Sequence, residues 1–330
     1  MQTRNTRWVA ILTLLALAGI IVPGCSSSDS TKPTTDTSSG TKKLRVSCTT
    51  NIVKDLVRQI GGDHVDVTAI MDGPAVDPHL YKPSPPDINA LTDSDVVVYS
   101  GLHLEAQFEG ALKSLANRGI PAIRLTEILE QESGDQLLHA GGAVDPHVWF
   151  DLELWGKCGV WLAEELAKVD EVHAADYRAA AVEFQQLMRT TRENGEVTLA
   201  AIPPERRILV TAHDAFQYFA RAFNFRVEAV QGLSTESEPG LKRINELATL
   251  LVEAEISAIF TEQSVSERNI LALISECKSR DHQLTVGGKL YSDTAGASGT
   301  PEETLAGAVM HNIREIAKGL SVPPTRQETP

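Results

Sequence analysis

Residues 172–198 read VHAADYRAAAVEFQQLMRTTRENGEVT. Along this stretch Tyr177, Ala181, Phe184, Met188 and Thr191 recur at helical spacing and form one stripe. The pattern predicts a single long helix. At about 1.5 Å per residue it runs about 30 Å or more, the width of a small domain. Pro203-Pro204 then stops it, because proline removes a backbone donor and clashes with the preceding turn. The helix divides the chain and reads as a rigid strut between two lobes.

On both sides of the strut, short apolar, β-branched runs alternate with helical patterns. Strands are expected at Leu44–Cys48, Val65–Ile70, Asp95–Tyr99 and Ala122–Leu125 before it. A second set is expected at Ile208–Thr211, Arg226–Val230, Ala258–Thr261 and Leu284–Val286 after it. Near-continuous apolar runs mark strands buried on both faces, as in a parallel sheet. Ile52, Leu56, Val57 and Ile60 recur at helical spacing before Gly61-Gly62, a helix stop. The expected fold class is α/β, with two lobes joined by one long helix. Each lobe is a mainly parallel four-stranded sheet with flanking helices.

The chain has 330 residues and a formal net charge of −14, with 42% hydrophobic and 22% charged residues. That composition fits a folded globular protein. The acid excess argues against a nucleic-acid groove, since phosphates need a basic surface, and it suits small cations better. No phosphate-cradling glycine loop and no G-x-S-x-G nucleophile elbow occurs.

The first residues read as an address. Arg4 and Arg7 precede an apolar run from Val9 to Val22, too short for a membrane span of about 20 residues. The run ends at Val22-Pro23-Gly24-Cys25, which resembles a bacterial lipobox in which Cys25 is lipidated. Pro23 departs from the usual residue at its place; the alternative is an ordinary secretory signal with an incidental Cys25. Residues 26–41 are Ser/Thr-rich with no apolar side chain but Pro33, so they are expected to form a tether rather than a core. Cys48, Cys158 and Cys277 have no close spacing and are expected as buried unpaired thiols.

A repeated tripeptide carries the chemistry. Val76-Asp77-Pro78-His79-Leu80-Tyr81 parallels Val144-Asp145-Pro146-His147-Val148-Trp149. Proline fixes the backbone just before each imidazole. Either adjacent aspartate is suited to hold an imidazole N–H, as carboxylates do behind metal-binding histidines. His213 follows the strand ending at Thr211, at the carboxyl end where open α/β sheets bind ligands. Asp293 follows another strand through a glycine-bearing loop, Gly287-Gly288. Three neutral imidazoles and one carboxylate suit a divalent first-row ion. His103 lies near a strand end and is a candidate to line the cleft. His64, His139, His173, His282 and His311 lack a supporting motif and are expected at the surface.

At these residues the sequence resembles the substrate-binding lipoproteins of zinc/manganese ABC importers, the TroA/ZnuA group. The likeness runs from about Leu44 to Leu320, through VDPHLYKPSPPD, DPHVWFD, TAHDAFQYF and GGKLYSD in that order. TAHDAFQYF, the following VQGLSTESE and GGKLYSDTAG lie nearest to the TroA branch.

The resemblance implies His79, His147, His213 and Asp293 as metal ligands, two from each lobe. The implied cargo is Zn²⁺ or Mn²⁺, with Fe²⁺ also tolerated by the donor set. The implied partners are an ABC permease with its ATPase and a membrane held through the lipid anchor, the protein itself being a monomer with no nucleic-acid partner and no turnover chemistry. The expected organisation is a signal peptide (1–24), a tether (25–43), an N-terminal metal-binding lobe (44–170), a linking helix (171–202) and a C-terminal metal-binding lobe (203–330).

Two departures bear on the metal. Many zinc-specific relatives carry a histidine-rich loop before the second ligand, whereas Glu130–Gly142 holds only His139. Many manganese-leaning relatives place glutamate at the third ligand, where this chain has His213. A site of this kind should bind zinc more tightly than manganese in vitro. It should lose affinity as pH falls through about 6.5, where histidine protonates. Two other readings stand beside transport. A zinc-dependent hydrolase would use Asp293 as a base, although no H-E-x-x-H occurs. A surface adhesin of the same fold is the second, since relatives have been described so.

Overall fold

The computed structural model describes residues 42–321. The signal peptide, Cys25 and almost all of the tether lie outside them. Among the described residues no helix is long and apolar enough to cross a membrane.

The first half runs β1 (Leu44–Thr50), α1 (Asn51–Gly61), β2 (Val65–Met71), α2 (Pro85–Thr92), β3 (Val96–Tyr99), α3 (Glu109–Asn117), β4 (Ala122–Arg124) and α4 (Glu127–Glu132). Then come a short hairpin, β5 (His139–Ala140) and β6 (Ala143–Val144), and α5 (Leu152–Val169). The four longer strands form a parallel sheet in the order β2-β1-β3-β4. β1 lies inside it, with Val46 opposite Val67 on one side and Val96 on the other. Helix α1 starts where the Thr50 hydroxyl accepts the Val53 N–H at 3.2 Å. It stops at Gly62, whose φ of 52° is a left-handed conformation that glycine adopts without strain.

The expected strut is α6 (Ala174–Leu199), 26 residues long. Its stripe of Tyr177, Ala181, Phe184, Met188 and Thr191 is buried, continued by Gly195 and Leu199. The helix packs on α1 and α5 in the first half and on α10 (Leu305–Ser321) in the second. One hydrophobic cluster runs from Val46 through Phe184 to Leu320.

The second half runs β7 (Ile208–Thr211), α7 (Gln217–Phe223), β8 (Arg226–Ala229), α8 (Leu241–Glu253), β9 (Ala258–Glu262), α9 (Arg268–Ser279), β10 (Thr285–Leu290) and α10. The four expected strands are present and parallel, as two hydrogen-bonded pairs, β7 with β8 and β9 with β10. β7 lies beside β9. The expected loop at Gly287-Gly288 is strand. The register shifts between Val286 and Gly288, and the bare backbone lets β10 pass close to Phe260, Glu315 and Gly319. Cys48, Cys158 and Cys277 are buried free thiols on β1, α5 and α9, as expected.

Gly307 gives the fold a direct test. It sits in the first turn of α10, where an added Cβ would lie 1.8 Å from the Pro301 carbonyl oxygen. Helix propensity alone predicts that Gly307→Ala stabilises by up to about 1 kcal/mol. The backbone clash predicts a net loss of about 1–3 kcal/mol. Thermal or denaturant unfolding decides the sign, and a stabilised variant would contradict this packing.

Candidate metal centre

Four turns bring the donors together. His79 lies between β2 and α2, His147 between β6 and α5, His213 between β7 and α7, and Asp293 between β10 and α10. One ligand atom from each lies within 4.8 Å of all the others, and all four residues are buried. His79 is 5% exposed; His147, His213 and Asp293 are fully enclosed.

The spacings fit a metal ion. Asp293 Oδ1 is 3.3 Å from His147 Nε2, 3.2 Å from His213 Nε2 and 3.9 Å from His79 Nε2. The Nε2 atoms of His147 and His213 are 3.3 Å apart. Donors about 2.0–2.1 Å from a tetrahedral ion stand about 3.3 Å from one another. Three edges match that figure, and the His79 side is wider. Two of these atoms, His79 Nε2 and Asp293 Oδ1, are buried with no hydrogen-bond partner. Buried polar atoms are rarely left unpaired, which points to a ligand as their partner.

The surroundings fix the rings. Asp145 Oδ1 accepts from the His147 backbone N–H at 2.9 Å and lies 2.7 Å from its Nδ1. Glu262, the last residue of β9, does the same for His213: Oε1 accepts from the backbone N–H at 2.9 Å and Oε2 lies 2.5 Å from Nδ1. Each carboxylate engages Nδ1 and leaves Nε2 for the centre, as carboxylates behind metal-binding histidines do. The two aspartates of the tripeptide repeat therefore differ in role. Asp77 accepts from the His79 backbone N–H at 2.9 Å and from the Thr235 hydroxyl at 2.6 Å. Asp293 Oδ2 accepts from the Ser264 hydroxyl at 3.0 Å, leaving Oδ1 for the imidazoles.

Electrostatics divide the histidines. Burial, against the pull of Asp293, pushes the His79 imidazole down to about 3. Burial also opposes charge on His147, but Asp145 and Asp293 outweigh it and hold that ring up at about 9. His213 is raised well above its ordinary value, because Asp293 and Glu262 outweigh burial. Burial disfavours the Asp293 charge, yet the three imidazoles hold this carboxyl well below the usual range.

The remaining histidines stand apart. His103 is exposed, paired with Glu109 at 3.0 Å, and borders a surface groove of about 500 Å³ between α3 and β4. His139 is exposed on β5. His64 and His173 are not isolated surface residues: their rings stack at 3.9 Å, with Asp176 2.9 Å from His64 Nε2 and Asp170 2.7 Å from His173 Nδ1. His282 Nε2 lies 2.6 Å from the Ile256 carbonyl, and His311 Nε2 lies 3.0 Å from that of Lys289.

Sequence reasoning missed Glu262. It is a lone acid at a strand end, and its partner lies 49 positions away. The signal available was a charged glutamate closing the otherwise uncharged strand AIFTE, buried along its whole length.

The chain is similar to known proteins in both sequence and fold. Residues 46–319 match the family described as ZnuA, zinc-uptake complex component A, periplasmic. The manganese-binding lipoprotein MntA of Bacillus subtilis is 39% identical over 312 residues, covering 94% of this chain and 98% of that protein. The zinc-binding protein TroA of Treponema pallidum is 35% identical over 280 residues, covering 84% and 89%. The solved structure of that periplasmic zinc-binding protein superposes with a TM-score of 0.81 at 34% identity, covering 85% of this chain and all of the other. With the family model spanning most of the chain and the fold shared with TroA, this protein belongs to the ZnuA family of metal-uptake components.

Proposed function

We propose that the chain captures one divalent transition metal as cargo, holds it with His79, His147, His213 and Asp293, and delivers it to an ABC permease driven by its ATPase. The observation that carries this reading is the convergence of four buried donors from four turns, two of them without any other partner. Zinc or manganese is the cargo, in keeping with relatives named for each. Three imidazoles favour zinc in vitro, and supply decides in the cell. In this reading the working organisation is two lobes, 44–170 and 203–330, joined by the helix within 171–202. Cys25 carries the lipid that keeps the domain on the outer side of a bacterial membrane. The protein works as a monomer and catalyses no reaction.

Asp293 Oδ1 lies 3.3 and 3.2 Å from two imidazole nitrogens, the spacing of donors that share one ion, which supports a ligand over a base standing off. All four donors are enclosed, which suits retention of an ion better than access by a hydrolytic substrate. No observation favours the adhesin reading.

Two outcomes follow. Purified protein should bind about one equivalent of zinc, and His213→Ala should weaken binding at least tenfold, because about 1.4 kcal/mol of lost ligation already gives that factor. An unchanged isotherm removes His213 from the set. The second concerns protons. The metal needs neutral imidazoles, and His147 keeps its proton up to about 9. The competition expected near pH 6.5 therefore moves up. Zinc affinity should climb between roughly pH 6 and pH 9, and calorimetry in buffers of different ionisation enthalpy should report proton release at neutral pH. Affinity that is flat above about pH 6.5, with no proton released, contradicts this electrostatic picture.

A further inference from the structure

The turn that carries Asp293 is pinned at its two ends to different halves of the molecule. At its start, Asn312 of α10 clasps Tyr291: the Tyr291 N–H donates to Asn312 Oδ1 at 2.8 Å and Asn312 Nδ2 donates to the Tyr291 carbonyl at 2.7 Å. At its end, Asn51 makes the same clasp on Ala295 from the opposite half. The Ala295 N–H donates to Asn51 Oδ1 and Asn51 Nδ2 donates to the Ala295 carbonyl, both at 3.0 Å. Both asparagines are buried, Asn51 at 3% and Asn312 at 0% exposure.

Asn51 is the first residue of α1 and directly follows β1, inside the parallel sheet. Its amide therefore rides on a rigid element. Two further bonds reach the turn from the same half. Trp149 Nε1 donates to the Ser292 carbonyl at 3.0 Å, and the Thr294 hydroxyl donates to the Pro74 carbonyl at 2.8 Å. Both chain neighbours of Asp293 and the residue beyond are thus held by the first half.

We propose that Asn51 is a positioning residue for the Asp293 carboxylate, and that its clasp governs how long the cargo is retained. The proposal rests on the reading of Asp293 as a ligand. The physical reason is geometric. An amide engaging both the N–H and the carbonyl of one residue fixes that residue's orientation as well as its distance, much as a sheet ladder does. Asp293 is two residues away, and its Oδ1 faces the three imidazoles. Releasing the clasp frees the end of the turn and lets Oδ1 leave the three imidazoles, so the ion loses its fourth donor sooner. Asn51 touches no donor atom itself; its effect must pass through Asp293.

A double-mutant cycle tests that route. The full chain is loaded with zinc, and release into excess chromogenic chelator is followed by stopped flow for wild type, Asn51→Ala, Asp293→Ala and the double variant. Both single variants should release zinc at least tenfold faster than wild type. The double variant should release no faster than Asp293→Ala, within about twofold. Thr294→Val replaces the hydroxyl with a methyl and so removes the bond to Pro74. It should give a smaller acceleration that also vanishes in the Asp293→Ala background, and it carries the test if Asn51→Ala fails to fold. The visible spectrum of cobalt-loaded Asn51→Ala should shift toward that of Asp293→Ala. Release at the wild-type rate in Asn51→Ala overturns the proposal. So does an acceleration that persists undiminished without Asp293, because Asn51 would then serve the fold alone. If Asp293→Ala itself releases zinc at the wild-type rate, the ligand assignment fails, and the proposal fails with it.

Discussion

One constraint organises this molecule: three imidazole nitrogens and one carboxylate oxygen that could hold a metal stand together in an enclosed site, and two of these atoms have no hydrogen-bond partner. Polar atoms without hydrogen bonds are costly to bury, and a buried carboxylate costs more. The neighbouring groups answer that cost. Asp145 and Glu262 hold two imidazoles by Nδ1 and by the backbone N–H of the same residue. The imidazoles in turn keep Asp293 charged against its burial. His79, 3.9 Å from Asp293, is the donor held least tightly by charge, and the wider side of the centre is its own.

The frame around the centre is built for alignment. The strut α6 packs against helices of both halves, and one hydrophobic cluster spans them. Hydrogen bonds cross between the halves near the site. Thr235 reaches Asp77, Trp149 reaches Ser292, Thr294 reaches Pro74 and Asn51 reaches Ala295. Further out, Asp55 of α1 accepts the Leu305 N–H at the start of α10 at 2.8 Å. These bonds make a contact surface between the halves around the four side chains.

Much of this was legible in the sequence, for physical reasons. The strut shows because a buried helix face must repeat every three or four residues, and Tyr177 to Thr191 do so. The donors show because proline-fixed histidines and a histidine after a strand are local patterns. The supporting groups do not show. Glu262 and Asn51 are single residues whose partners lie 49 and 244 positions away. No local period marks them. The difference between Asp77 and Asp145 was equally hidden, because identical tripeptides meet different neighbours in space. Gly287-Gly288 reads as a glycine-bearing loop in the sequence, yet it is strand, where the bare backbone lets β10 pass close neighbours.

The central claim is that three imidazoles and one carboxylate, drawn from both halves, hold a single ion. X-ray absorption at the zinc edge of the loaded protein tests it most directly. The account predicts three imidazole nitrogens, recognised by the multiple scattering of their rings, and carboxylate oxygen at about 2.0–2.1 Å. Sulfur scatterers at about 2.3 Å, or fewer than three imidazoles, would contradict it.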